Sequence, residues 1–516
     1  MIPASAFTLQ RLLLLALPAL AGAVLVLVIG VQAGHGVTPD SVTYLSSAES
    51  LRDSGSLRRY DGERYAEFPP LYPVAITLAA PGLLAVDDSA LVVNALAFGL
   101  VILLTGAALL RVGGSPWYAL LGALTVLIAR PVLTIALHLW SEMLFTAWAM
   151  LSLYFAERTL TAPATRPLLI SASLASLAAL TRYIGVTTGI VAVAAGVLAH
   201  GRRGERPRGI ALALGFTLIP PALWGVRNLA VTGSLAGARA PAAASLRENL
   251  RDAAETLSGW LLPGAIPLTL RVLLCLLLVV SLLTLLGFSA RGTNRPKLRL
   301  MLLPLFPYLL FPSVYAAYLL LSSSTVALDM IGDRLLAPIY PSLVVAGLGW
   351  ARIVTAGCPR PGFGKIPRLV LIAGLVLWLS WSAFGSARMV RAILVHGIDG
   401  YDNAAWVPSE LVAYARDSAA DAPIYSNDPF VLWYRAGRAA QLSPRRYAYR
   451  SPGTAVDDLP RLPRALQDGP AYLLWFDGIE RDFLLDVAAL AAVARVEPVE
   501  RLADGTVYRL TAWGVP

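Results

Sequence analysis

Long apolar runs separated by short polar breaks fill the chain up to about residue 386. A membrane span needs roughly 20 largely apolar residues, and on that measure the pattern predicts about 11 spans. They are Leu12–Val31, Ala90–Leu110, Trp117–Ile135, Leu139–Phe155, Leu168–Tyr183, Ile184–Ala199, Ile210–Trp224, Leu270–Phe288, Leu300–Leu321, Leu335–Trp350 and Leu369–Phe384. The first run is too long for a cleaved signal peptide and lacks its small-residue cleavage pattern, so it reads as a retained span. The fold class expected is an α-helical polytopic membrane protein followed by a small α/β domain. The division falls at 1–386 and 387–516.

The tail after 386 is polar and changes its periodicity. Ser409–Ser418 and Phe430–Ala436 read as helices, and Pro423–Ser426, Ala471–Phe476 and Val507–Thr511 as strands. A helical stretch is expected after the second of these strands, to about Ala494. Between the first two spans, loop 32–89 carries juxtamembrane helices. Within it, Ser41–Asp53 places Tyr44, Leu45, Ala48 and Leu51 at helical spacing, with Glu49, Arg52 and Asp53 opposite. That spacing predicts an amphipathic helix on the membrane surface.

Composition sharpens this reading. Of 516 residues, 57% are apolar and only 14% charged, against about 25% in a soluble domain. The net charge of +10 does not point to nucleic acid, because the arginines flank apolar spans. One set of loops receives Arg11, Arg111, Arg158, Arg166, Arg202, Arg203, Arg206 and Arg208. It also receives Arg291, Arg295, Lys297, Arg299, Arg352, Arg360, Lys365 and Arg368. The positive-inside rule places these in the cytoplasm. The protein is then a multi-pass plasma (inner) membrane protein whose 32–89 loop, 225–268 loop and tail lie outside. Cys275 and Cys358 form no disulfide framework.

Three carboxylates, Asp40, Glu67 and Glu142, fall at span boundaries on the outer side. Carboxylates at membrane depth are costly, which makes them functional candidates. Each also has an ordinary reading. Asp40, after a proline at a helix start, suits an N-cap. Glu67 suits a solvated residue before a proline-led helix entry. His138 stands four residues before Glu142 and would share its helix face if the helix began earlier; otherwise it is an interfacial histidine. Arg182 could snorkel to the headgroups, and Arg334 could form a surface pair with Asp333. Trp140, Trp224 and Trp260 read as interfacial aromatics.

Several segments resemble the GT-C superfamily of polyprenyl-phosphate-sugar glycosyltransferases, in its branch of protein O-mannosyltransferases and bacterial aminoarabinose transferases. Asp40-Ser41-Val42-Thr43-Tyr44 resembles the Asp-led motif after the family's first span. Tyr65-Ala66-Glu67-Phe68-Pro69-Pro70 resembles its Tyr-x-Glu-Lys-Pro segment. Trp140-Ser141-Glu142-Met143-Leu144-Phe145 resembles the acidic start of its fourth span, and Leu180-Thr181-Arg182-Tyr183 its Leu-Thr-Lys/Arg segment. Arg227-Asn228 with Thr232-Gly233 resembles its Arg-Asn-x-x-x-x-Gly pattern. Asp333-Arg334-Leu335-Leu336-Ala337-Pro338 resembles its late Arg-x-x-x-Pro motif. The chain departs at Ser41, where the mannosyltransferases carry Glu, and at Phe68, where the aminoarabinose enzymes carry Lys.

The resemblance implies inverting transfer of a sugar from a polyprenyl-phosphate donor to a lipid, glycan or protein acceptor at the outer face. Such a reaction needs a general base for the acceptor hydroxyl, and Asp40 is the candidate. Glu67 and Glu142 are the further carboxylates. The leaving phosphate needs cations, for which Arg58, Arg59, Arg182 and Arg334 are candidates. Tyr44, Tyr65, Arg227, Asn228 and Asp333 belong to the same motifs. A cluster of Asp40, Glu67, His138 and Glu142 could hold a divalent metal ion. Membrane lipids are the remaining partners. The competing classes are a transporter or flippase, which would show midplane polar groups in repeated halves, and a non-catalytic binder of polyprenyl-linked lipid.

Overall fold

The computed structural model describes residues 9–79, 82–200, 207–237, 239–242, 244–289, 302–357, 365–417, 422–456 and 458–513. Arg202, Arg203, Arg206, Arg291, Arg295, Lys297, Arg299, Cys358 and Arg360 lie outside the described residues. Helix α1 (Leu9–Ala33) is the first apolar run. It is followed by α2 (Pro39–Ser54), α3 (Leu71–Ala79), α4 (Val86–Gly113), α5 (Pro116–Leu127), α6 (Arg130–Leu137) and α7 (Glu142–Thr161). Then come α8 (Thr165–Thr181), α9 (Val186–His200), α10 (Pro207–Thr232), α11 (Leu246–Gly259) and α12 (Leu268–Ser289). The helical part ends with α13 (Phe306–Ser323), α14 (Asp333–Leu336), α15 (Tyr340–Gly357) and α16 (Lys365–His396).

Among the described residues, five helices are long and apolar enough to cross a membrane, or six if the bent pair α5 and α6 forms one span. The expected run Trp117–Ile135 is that pair, bent by 55°. Pro131 sits in the first turn of α6; it donates no backbone N–H, so the hydrogen-bond ladder of α5 cannot run on through it. The expected span Leu139–Phe155 starts only at Glu142, because His138 is extended (φ −86°, ψ 141°). The adjoining runs at 168–199 are split by extended Arg182 (φ −147°, ψ 138°) and a short 3-10 turn. These breaks place polar backbone and side chains at one common end of the bundle. Arg11, Arg111, Arg158, Arg166 and Arg208 lie at the other ends of their helices.

Helix α2 is not the expected surface helix. All residues from Ser41 to Ala48 are buried, including polar Ser41, Thr43, Ser46 and Ser47. Only its last turn, with Arg52 and Asp53, faces outward. The helix fills a gap between bundle and tail.

The tail forms a five-stranded mixed sheet in the order β2-β1-β5-β7-β6. The strands are β1 (Ile424–Ser426), β2 (Gln441–Leu442), β5 (Ala471–Phe476), β6 (Arg495–Leu502) and β7 (Gly505–Thr511), with β3 (Tyr447–Ala448) and β4 (Ser451–Ala455) a separate hairpin. The pairs β1–β2 and β1–β5 are parallel, and β7 runs antiparallel to β5 and β6. Edge strand β6 escaped the sequence reading because its charged residues lack an apolar alternation. The expected helical stretch to Ala494 shrinks to Val487–Leu490. Leu484 pairs with Arg445 and Leu485 donates to the Pro444 carbonyl, so that segment is extended.

The sheet region docks on the turn between α1 and α2. Tyr401 N–H donates to Val37 O at 2.8 Å, and Ile398 N–H to Ala33 O at 3.2 Å. Gly400 has φ +135°, and a Cβ there would stand 2.3 Å from Val37 O, so only glycine fits. Around this seam His35 meets Asp402 at 3.0 Å, Asp88 at 3.4 Å and Asp87 at 4.0 Å. Arg435 also reaches Asp402, and Tyr434 donates to Asp87. Burial alone would lower the His35 pKa, but the hydrogen bond to Asp402 and the charges of Asp87, Asp402 and Asp88 outweigh it and raise it. A raised histidine pKa stabilises the fold fully below the unfolded value of about 6.5 and loses that contribution as pH climbs through the folded value. Proteolysis at the junction after His396 should therefore quicken as pH rises from 6 to 8.5. His35→Gln should abolish that dependence; a pH-independent wild-type rate would refute the role of His35.

Candidate active site

The site is assembled by one close backbone approach. Gly36 and His138 form a parallel bridge between the α1–α2 turn and the α6–α7 link. Gly36 N–H donates to Leu137 O at 3.3 Å, and Leu139 N–H to Gly36 O at 3.0 Å. A Cβ on Gly36 would lie 2.7 Å from the His138 ring. Asn94 of α4 donates to His138 O at 2.7 Å and accepts from Tyr72, bracing the link from behind. Trp140 Nε1–H donates to Thr38 Oγ1 at 2.8 Å. The starts of α2 and α7 are thereby pinned together, with Asp40 and Glu142 in their first turns. Helix N-termini favour carboxylates there.

Asp40 is not the cap of α2. Thr38 occupies that position, and its N–H donates to Ser41 Oγ at 3.1 Å. The Asp40 carboxylate is left for Arg334, which donates to it through Nη2. Arg334 Nε donates to Glu142 Oε1 at 2.7 Å, and its Nη1 to Asp329 at 3.0 Å. Arg182 Nη1 reaches the same Glu142 oxygen at 2.6 Å and also Ser141 Oγ at 3.2 Å. Glu142 is fully buried, whereas Asp40 keeps 31% of its side-chain exposure. The Arg334 guanidinium lies 4.3 Å from the Trp140 ring centroid, a cation–π contact that fixes its plane. Two arginines and three carboxylates thus meet at the end of an apolar bundle. Neither Arg182 nor Arg334 behaves as a snorkelling or lone surface charge.

Other motif residues hold this centre from outside. Tyr44 bonds Ser141 Oγ at 3.1 Å and packs on Phe68, with ring centroids 4.9 Å apart. The strap through Tyr65 and Ala66 is held by Arg227, which donates to Tyr65 O, and by Asn228, which donates to Ala66 O at 3.2 Å. Glu67 is half-exposed on this strap and pairs with Arg59 at 3.3 Å. Arg59 also pairs with Asp61, while exposed Arg58 donates to Gly62 O. Glu67, Arg58 and Arg59 therefore form a second group, with no described bond to the Arg334 network. Asp333 turns away from Arg334; it takes Arg130 at 3.1 Å and the Trp260 indole at 2.8 Å.

The expected metal set does not converge. His138 precedes α7, its Nδ1 lies 2.9 Å from Thr134 O, and its ring stacks on Trp140. Among the described residues no group of three or more His, Cys, Asp or Glu is arranged to hold a metal ion. Asp329, Ser141 and Trp140 were missed as site residues. Trp140 is buried beneath Arg334 instead of lying in an aromatic belt; its place two residues before Glu142 was the available signal. Asp329 lies in a loop with no motif around it.

An apolar cavity of about 640 Å³ opens between α11, α12, α13, α15 and α16. Leu257, Trp260, Val279, Leu343 and Trp378 line it. Trp260 joins cavity to site through its bond to Asp333, next to Arg334.

The sequence matches no family model and no curated protein sequence. Its structure is similar to crystal structures of ArnT, an aminoarabinose transferase, from Cupriavidus metallidurans. Against ArnT in the apo state the TM-score is 0.57 at 16% identity, covering 96% of this chain and 97% of that one. Against ArnT bound to undecaprenyl phosphate it is 0.58 at 15% identity, with the same coverage. A Saccharomyces cerevisiae protein O-mannosyltransferase complex, Pmt1-Pmt2 bound to the sugar donor, matches over 42% of this chain and 33% of that chain, with a TM-score of 0.32 at 20% identity. The chain has a GT-C fold: a helical, membrane-type bundle followed by a small sheet region. The similarity to ArnT runs over 96% of the chain.

Proposed function

We propose that the protein is a membrane glycosyltransferase that moves a sugar from a polyprenyl-phosphate carrier to an extracytoplasmic acceptor. The observation that carries this reading is the joining of Asp40, Glu142, Arg182 and Arg334 at one end of the bundle. Support comes from the ArnT fold, since one of its structures holds undecaprenyl phosphate. The apolar cavity lined by Trp260, whose indole bonds Asp333, suits an isoprenoid tail. The arginine-rich opposite helix ends favour an outer position for the site.

In this reading Arg182 and Arg334 hold the carrier phosphate and neutralise it as it leaves the sugar. Asp40 takes the proton of the acceptor hydroxyl as that oxygen attacks the anomeric carbon from the opposite side, giving inversion. In the structure Arg334 donates to the Asp40 carboxylate. Gathering of these four charges at one end favours this over transport, which would use midplane groups in repeated halves.

The test is binding of undecaprenyl phosphate to the full chain in detergent micelles, followed by quenching of tryptophan fluorescence, since Trp140 lies under Arg334. Arg334→Gln should weaken binding about 10- to 100-fold, the worth of a charge-assisted pair of about 1.5–3 kcal/mol. Equal binding by wild type and variant would remove the donor-site reading.

A further inference from the structure

Arg334 spreads its guanidinium over three acids at once: Asp40, Glu142 and Asp329. A phosphate that is to be gripped by Arg334 must displace one of them. Glu142 cannot leave, because it is fully buried and is also the partner of Arg182. Asp329 differs from the others. It is 40% exposed, lies in the irregular loop between α13 and α14, and has a second cation beside its other oxygen. That cation is Arg450, whose Nε lies 3.7 Å from Asp329 Oδ1 and whose Nη1 donates to Leu328 O at 3.5 Å.

Arg450 comes from the sheet region, at the turn joining β3 to β4. It has φ +54°. A non-glycine residue in the left-handed region costs of order 1 kcal/mol, and such strain gathers at functional positions. The same turn built with glycine would be relaxed but would present no charge to Asp329.

We propose that Asp329 is an exchangeable counter-ion, which passes from Arg334 to Arg450 when the carrier phosphate binds, so that Arg450 is a positioning residue for the donor. The proposal rests on the donor-site reading above. The exchange frees an N–H edge of Arg334 for phosphate and draws loop 324–332 toward the sheet region. It explains why the tail reaches the reaction centre through a cation. Lacking Arg450, Asp329 would stay on Arg334 and compete with the phosphate; lacking Asp329, Arg450 would have nothing to receive.

Binding of undecaprenyl phosphate to full-length variants in micelles decides the matter. Arg450→Gln should weaken binding about threefold, the scale of a half-exposed ion pair. Arg450→Lys should recover most of the loss. Asp329→Asn should tighten binding about threefold, and the double variant should match Asp329→Asn alone. That last equality is what a merely structural Arg450 would not give. Additive effects in the double variant, or unchanged binding by Asp329→Asn, would overturn the proposal even if Arg450→Gln folds poorly. Arg334→Gln separates the two readings. If it weakens binding while Arg450→Gln does not, only the exchange fails; if Arg334→Gln binds normally, both fail.

Discussion

Asp40→Asn is expected to lower sugar transfer by about 10²- to 10⁴-fold, the usual share of a general base, while undecaprenyl phosphate still binds. The amide has the shape of the carboxylate, and its oxygen can still accept from Arg334. What it loses is the ability to take a proton. Asp40 keeps 31% of its side-chain exposure and sits past the cap of α2, so the fold does not depend on its charge. Melting of the variant in micelles should stay close to that of wild type. A parallel loss of binding, stability and transfer would mean that Asp40 is structural. Full transfer by Asp40→Asn would dismiss it as the base.

Glu142→Gln should act the other way, on the fold first. Glu142 is fully buried, and one of its oxygens receives both Arg182 and Arg334. Removing the charge leaves two cations without their shared anion. Breaking a buried pair by deleting one partner costs about 3–5 kcal/mol. The variant should melt well below Asp40→Asn, as followed by light scattering on heating. Undecaprenyl phosphate should restore more stability to it than to wild type, because the phosphate replaces the missing negative charge. A variant that melts with wild type would show that Glu142 does not hold the two arginines.

The sequence displayed the membrane class, the position of most apolar helices and the acidic and basic residues at their common end. Periodicity revealed α1, α4 and β5 because each is long or strongly apolar. It missed the break of α5 from α6, where one proline outweighs a continuous apolar pattern. It also misjudged α2, whose amphipathic spacing suggested a membrane surface, whereas its first half is buried, with Tyr44 against Phe68, Tyr72 and Ser141. The union of Asp40, Glu142, Arg182 and Arg334 was within reach, since all four stand at span boundaries. Their partners were not. Asp329 and Arg450 lie in irregular segments far apart in the chain, and only the docking of the tail brings them together. Glu67 and Arg59 looked equal to the others in sequence, yet pair with each other on the strap.

Wild-type protein and Asp40→Asn, each in liposomes, would be given a panel of synthetic undecaprenyl-phosphate sugars with a membrane lipid extract as acceptor. Mass spectrometry would follow the undecaprenyl phosphate released. The expected result is release from at least one donor by wild type, dependent on the extract, and release reduced at least about 100-fold by Asp40→Asn. Equal release by the two proteins would contradict the central claim, as would intact donors after incubation of wild-type protein with the full panel.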